Sequence, residues 1–162
     1  YDVIVSEPSN PWVLGVDQLF SREFYELVGS RLDADGMFVQ WIQRYATTQE
    51  VYDTVVRTLR SEFPHVRAFR GSAHDDLFVA SRAPLTDASL AAMDRQLASN
   101  PGLPRSLAEI DLVGPDDLRL RELAIPVAEA GPLETLDRPR IHQLSGRAFY
   151  RGETLGEPPR RD

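Results

Sequence analysis

Along this chain the spacing of hydrophobic and polar positions switches between two periods, and the switches predict its elements. Val3, Ile4 and Val5 form a short β-branched run. Such a run reads as a strand buried on both faces, as in a parallel sheet. Pro8 and Pro11 forbid its continuation as a central strand. Over residues 17–32 the spacing turns helical, with Leu19, Phe20, Phe24, Leu27, Val28 and Leu32 on one face. Asp17 or Ser21 is placed to cap that helix. Gly36, after Asp33 and Asp35, marks a turn. Residues 37–43, MFVQWIQ, are rich in strand formers and predict a second strand. Thr47 and Glu50 have the spacing of a capping box. They open a helix with Val51, Val55, Leu59 and Phe63 at intervals of four, and Pro64 stops it. Residues 66–69 and 77–81 read as two more strands. The joint between them, RGSAHDD, is short, so the two pair antiparallel.

The order is strand, helix, strand, helix, strand, strand. Alternation of this kind predicts an α/β fold, a parallel sheet flanked by helices, with the antiparallel pair at one edge. After Pro84 the texture changes. Residues 87–97 predict a helix, NPGLP at 100–104 a break, and 115–123 another helix. A basic, proline-rich tail follows. The chain therefore divides into a main α/β unit, residues 1–84, and a helical and irregular extension of the same domain, residues 85–155. Residues 156–162 are expected to be disordered.

Composition narrows the chemistry. At 162 residues with 42% hydrophobic and 27% charged positions, the chain is an ordinary globular domain with a real core. A net charge of −7 argues against a nucleic-acid partner and suits a cationic small substrate. There is no cysteine, which excludes disulfides, zinc thiolate sites and thiol nucleophiles. The three histidines are isolated, so no metal site is expected. No apolar run approaches the roughly 20 residues of a membrane span. The chain opens on Tyr1 and enters a strand directly, as a piece of a longer protein would.

In open parallel sheets, ligands bind beyond the carboxyl ends of the strands. The first strand ends at Ser6, and the loop EPSNPW follows. The second ends near Gln43, with Tyr45 just after. If the strands are neighbours, Glu7, Asn10, Trp12, Gln43 and Tyr45 share one rim. Glu7 is a carboxylate at a strand end, the strongest candidate. Asn10 before Pro11 is also an ordinary turn pair, Trp12 a core shield, and Gln40 a partner for neighbouring backbone. His74, Asp75 and Asp76 read as a solvated hairpin turn. Ser6 and Ser9 lack the surroundings of a nucleophile elbow.

These residues carry a resemblance. The strings YDVIVSEPSNPW and LFSREFYELVGSRLDADGMFVQWIQ resemble the second half of a spermidine synthase-like (polyamine aminopropyltransferase) domain. The bacterial branch often fused to a membrane transporter-like region is the most similar. The closing PLETLDRPRIHQLSGRAFYRG resembles that branch too, more weakly. The resemblance implies the C-terminal half of a Rossmann-like, class I S-adenosylmethionine-dependent methyltransferase fold. It implies transfer of an aminopropyl group from decarboxylated S-adenosylmethionine to a small-molecule amine, as in polyamine biosynthesis. Glu7 falls where the family's first strand-end aspartate stands, the general base; Asn10 falls on the second. Trp12, Gln40, Gln43 and Tyr45 would bind the amine, and Pro8 would lie against the cofactor. It also implies a homodimer and a cytoplasmic location, at the membrane's cytoplasmic face if the parent carries a membrane-embedded N-terminal region. The chain departs from the family at Glu7, one methylene longer than aspartate, and at Asn10, which carries no charge. Pro8 replaces a serine, and the family's Tyr-Pro-Ser-Gly segment is absent. Gly15, Gly29 and Gly36 form no cofactor loop, so an isolated fragment is expected to be inactive and to self-associate through its bare first strand. Two alternatives stand beside aminopropyl transfer. One is methyl transfer from S-adenosylmethionine, since NPW is similar to the turn that grips nitrogen in amino-methyltransferases. The other is a degenerate, non-catalytic domain that senses a ligand.

Overall fold

The computed structural model describes residues 1–125 and 130–156, the side chains at 87, 89, 90, 93 and 94 excepted. In chain order its elements are β1 (Val3–Ser6), a single 3-10 turn (Asp17–Phe20), α1 (Arg22–Arg31) and β2 (Met37–Gln43). Then come α2 (Gln49–Glu62), β3 (His65–Ser72), β4 (Asp75–Ser81), α3 (Asp87–Ser99) and α4 (Gly102–Ala108). The last are α5 (Pro115–Arg121), β5 (Glu122–Leu123) and α6 (Ile141–Arg151). The protein is α/β, with one open sheet in the order β1-β2-β4-β3-β5. Among the described strands only β1 and β2 run parallel; β2 with β4, β4 with β3 and β3 with β5 are antiparallel. The sheet is compatible with a Rossmann-like fold. It is less parallel than the alternation of elements predicts. The β3–β4 hairpin inserts its second strand beside β2, and β5 takes the far edge.

The helices start where local chemistry lets them. The helix predicted over 17–32 is two pieces, because Ser21 is extended (φ −77°, ψ 154°) and caps α1 itself. Its hydroxyl oxygen accepts the Phe24 N–H at 3.2 Å. The inward row of α1 is Tyr25, Val28 and Gly29; Leu27, expected inside, is 54% exposed on the outer side. In α2 the cap is Thr48, accepting from Val51 N–H at 3.4 Å, one residue later than the capping-box spacing suggests. Thr47 instead donates its hydroxyl to the carbonyls of Gln43 (3.0 Å) and Tyr45 (3.2 Å), closing the turn after β2. The row at intervals of four is as expected: Val51, Val55, Leu59 and Phe63 are fully buried.

One face of the sheet holds the core. Phe38, Ile42, Phe78, Ala80 and Ala68 meet α1 and α2 there, and all are fully buried. Phe38 is ringed by Phe24, Tyr25 and Phe63 at centroid distances of 6.2, 5.7 and 5.8 Å. The opposite face carries Val39, Phe69, Leu77 and Val79, partly roofed by Leu85, Ala92 and Leu118 over an apolar groove of about 520 Å³. β1 is not buried on both faces. Val3 and Val5 are 49% and 66% exposed, because β1 is the sheet's edge strand and its outward face lacks a cover among the described residues.

The region after Pro84 differs most from expectation. The NPGLP break shrinks to two residues, since α4 begins at Gly102 and takes Pro104 into its first turn. There a missing N–H costs nothing. The helix predicted over 115–123 ends at Arg121, and its last two residues become β5, pairing Leu123 with Ala68. The extension is thus not only helical: it returns a strand to the sheet. Within the basic tail, Ile141–Arg151 folds as α6. The expected disorder of 156–162 concerns residues that, from 157 on, lie outside the described ones.

Candidate functional site

β1 and β2 are parallel neighbours, so their carboxyl ends open on the same side. Beyond β1 the chain is stiffened at once. Pro8 is buried, and Pro11 begins a turn in which Val13 N–H bonds the Asn10 carbonyl at 2.9 Å. Gly15, at φ 89°, lets that turn double back, and Asp17 accepts its N–H at 3.2 Å. Beyond β2 the turn is strained. Buried Ala46 holds a left-handed φ of 49°, which costs a non-glycine residue roughly 1–2 kcal/mol. The two Thr47 bonds described above hold it there, and the turn projects Tyr45 outward.

The two loops meet through Asn10, Trp12 and Tyr45. The Tyr45 hydroxyl donates to Asn10 Oδ1 at 3.2 Å. The Trp12 ring meets Tyr45 edge-on at 6.2 Å and stacks on Phe149 of α6 at 4.8 Å. Glu7 stands at the exit of β1, exposed, and makes no hydrogen bond or ion pair with any described residue. Gln40 lies opposite Ser6 in the register. Its amide nitrogen donates to the Trp41 carbonyl at 3.1 Å and reaches that of Ser6 at 3.5 Å. Its amide oxygen is buried without a partner among the described residues, and so are both amide atoms of Gln43. Gln40 and Gln43 differ in parity, so a regular strand sends them to opposite faces. The expected rim is therefore split. Asn10, Trp12 and Tyr45 touch, Gln40 sits at its inner end, and Gln43 makes none of these contacts.

Two buried polar clusters lie outside what the sequence predicts. Asp76, read as part of a solvated turn, is fully buried and binds Arg44 Nη1 at 3.1 Å and Arg70 Nε at 2.8 Å. Tyr52 bonds it as well, and burial and the aspartate together push the Tyr52 hydroxyl far above its usual range. Arg44 also donates to the carbonyls of Leu155 (3.1 Å) and Gly156 (2.7 Å), while Tyr45 bridges Thr154. The C-terminal strap is thereby pinned beside the rim. For Asp76 the signal was period-two parity: it shares a face with Phe78 and Ala80, which point into the core.

The second cluster is Glu134, 1% exposed. Its carboxylate accepts the N–H groups of Arg140 (2.8 Å) and Ile141 (3.0 Å) and so starts α6. Burial pushes its pKa up to about 7, against the pull of those two N–H groups, and Asp17 adds to the rise. Tyr25, buried nearby, is pushed well above its ordinary range by burial and by Glu134. No sequence pattern marked either residue as polar core.

Among the described residues, no group of three or more ligating side chains could hold a metal ion, and no helix is long and apolar enough to cross a membrane. No protein-family model matches the chain, and no curated protein matches it.

Proposed function

We propose that the rim beyond β1 and β2 is the amine end of an aminopropyltransferase-like site, with Glu7 as general base. The observation that supports this reading is Glu7 itself. It is an exposed carboxylate without a hydrogen bond or ion pair to any described residue, at the carboxyl end of the parallel β1–β2 pair and three positions before Asn10, which with Trp12 and Tyr45 forms one contacting group. An ammonium is no nucleophile until it loses a proton. Glu7 takes that proton. The freed nitrogen attacks the methylene carbon next to the sulfonium of decarboxylated S-adenosylmethionine. A C–N bond forms and the C–S bond breaks. Sulfur keeps the electron pair, and methylthioadenosine leaves uncharged. Trp12 and Tyr45 offer ring faces to the cationic amine. Asn10, its Oδ1 already accepting from Tyr45, positions that pair and adds no charge.

The nucleoside fits this chain less well. Among the described residues no glycine-rich loop follows either parallel strand. Gly29 lies inside α1 and Gly36 in the turn before β2. Pro8, buried, is the one rim residue this reading sets against the nucleoside.

The test uses the full-length protein with decarboxylated S-adenosylmethionine and a panel of diamines. Methylthioadenosine, read by mass spectrometry, is expected only when an amine is present. Glu7→Gln is expected to lower turnover by about 10²-fold or more with nucleoside affinity unchanged. Full turnover in Glu7→Gln would remove the base. No methylthioadenosine, with S-adenosylmethionine consumed instead, would make the protein a methyltransferase. No turnover with either would leave a ligand-sensing domain.

A further inference from the structure

In an acidic protein, one surface is basic. Residues 138–151 contain Arg138, Arg140, His142, Arg147 and Arg151 and not one Asp or Glu. The structure gathers these side chains around two adjoining grooves. One, of about 580 Å³, runs along the outer side of α6 between Trp12, His142, Gly146 and Tyr150. The other, of about 470 Å³, lies between Arg138, Arg140 and Arg147, with Glu50 at its margin. They share Gln143 and Arg147, so they form one trough with an aromatic end and an arginine end.

Neutralisation of the arginine end is incomplete. Arg147 is exposed and has no acidic partner among the described residues. Arg138 is 85% exposed and only 3.9 Å from Asp137, its neighbour in the chain. Arg140 reaches Glu50 at 3.4 Å through Nη2, while its Nε is buried without a partner among the described residues. His142 Nδ1 is buried without one too. At the aromatic end, Gly146 keeps the floor low. A Cβ there would meet nothing closer than the Trp12 Cβ at 4.0 Å. Tyr150, 89% exposed, stands one helical turn further on.

Several guanidiniums, from a loop and a helix, lining one groove suit a multi-oxygen anion better than a planar carboxylate, which one arginine can satisfy. An open floor beside exposed rings suits a flat group. We infer that this trough binds a small organic phosphate that carries a planar ring, with phosphate at Arg140 and Arg147 and ring against Trp12 and Tyr150. The inference does not depend on the amine chemistry proposed above. It shares Trp12 with that reading, but its arginines and Tyr150 are residues that reading does not use.

The test exploits the two tryptophans. With Trp41→Phe as background, Trp12 is the sole indole and reports on the groove. The 162-residue chain, which holds no other indole, is titrated with adenosine monophosphate, adenosine and inorganic phosphate. The monophosphate is expected to change Trp12 emission saturably, and each of the other two probes to bind at least about tenfold more weakly. Arg147→Gln, at an exposed position, should weaken monophosphate binding about tenfold. Gly146→Leu should abolish it by filling the floor, with helicity by circular dichroism retained. Arg105→Gln, outside the trough, should change nothing. Equal affinity for phosphate and monophosphate would overturn the ring contact. An unchanged affinity in Arg147→Gln, or no saturable response at all, would overturn the site.

Discussion

The two faces of the sheet are made from the same strands and have different fates. In β2, Phe38, Gln40 and Ile42 point to the helical side and are fully buried. Val39 and Met37, their immediate neighbours, point the other way, and Met37 is 37% exposed. Residue type does not separate the two sets, since Val and Met are as apolar as Ile. Cover does: α1 and α2 lie on one face, while among the described residues the other is only partly roofed, by Leu85, Ala92 and Leu118. Apolar area stabilises in proportion to what is removed from water, so equal hydrophobicity here contributes unequal stability.

The largest test of that contrast is a pair of truncations. Phe38→Ala removes a ring held among three others and leaves a cavity where nothing can collapse, at a cost of about 3–5 kcal/mol. Val39→Ala removes less carbon from a half-open face and should cost about 1 kcal/mol or less. Urea denaturation of both variants measures the difference. Comparable losses would mean that the second face is covered in solution by something that packs as well as a helix.

A second test sits on the helical side and depends on pH. Glu134 has a folded pKa raised from 4.5 to about 7, so the folded state holds its proton more tightly than the unfolded chain does. Its contribution to stability is complete below about pH 4.5 and is lost as pH rises toward 7. The change is on the order of 3 kcal/mol, since each pKa unit is worth about 1.4 kcal/mol. Glu134→Gln keeps an oxygen to accept the Arg140 and Ile141 N–H groups and removes the titration. Stability measured from pH 4.5 to 7.5 should fall with pH in the parent more than in the variant. Parallel profiles would show that the buried carboxylate does not drive the slope.

The same contrast explains what could be read in advance. Strong local patterns were legible: MFVQWIQ as a strand, and Val51, Val55, Leu59 and Phe63 as a helix face, because period and composition agree there. The loop carrying Glu7, Asn10 and Trp12 was legible because its prolines and polar residues interrupt a β-branched run. Whatever depended on cover or on distant partners was not. Val3 and Val5 look like buried strand residues, yet exposure is decided by what lies above β1. Asp76 looks like a turn residue until the register sets it facing Arg44 and Arg70. Trp12 was recognisable as a rim residue. Its stacking partner Phe149 lies 137 positions away, in a helix that the basic tail disguised. β5 spans two residues, too few for any periodicity.

The smallest expected effect lies at the bare edge. Val5 is 66% exposed on an edge strand, so Val5→Lys should shift folding stability by no more than about 0.5 kcal/mol. Its effect on association should be far larger. An apolar edge strand offers a line of unpaired N–H and C=O groups to another chain, and a lysine there blocks pairing by charge and desolvation cost. Sedimentation velocity over a concentration series would show it. The unaltered chain is expected to self-associate with rising concentration and the lysine variant to remain monomeric, with nearly the same melting temperature. If the unaltered chain is already a monodisperse monomer, exposure of Val3 and Val5 costs nothing in association. If instead the lysine variant loses several degrees of melting temperature, Val5 is buried against something in solution, and the two faces differ less than their exposure indicates.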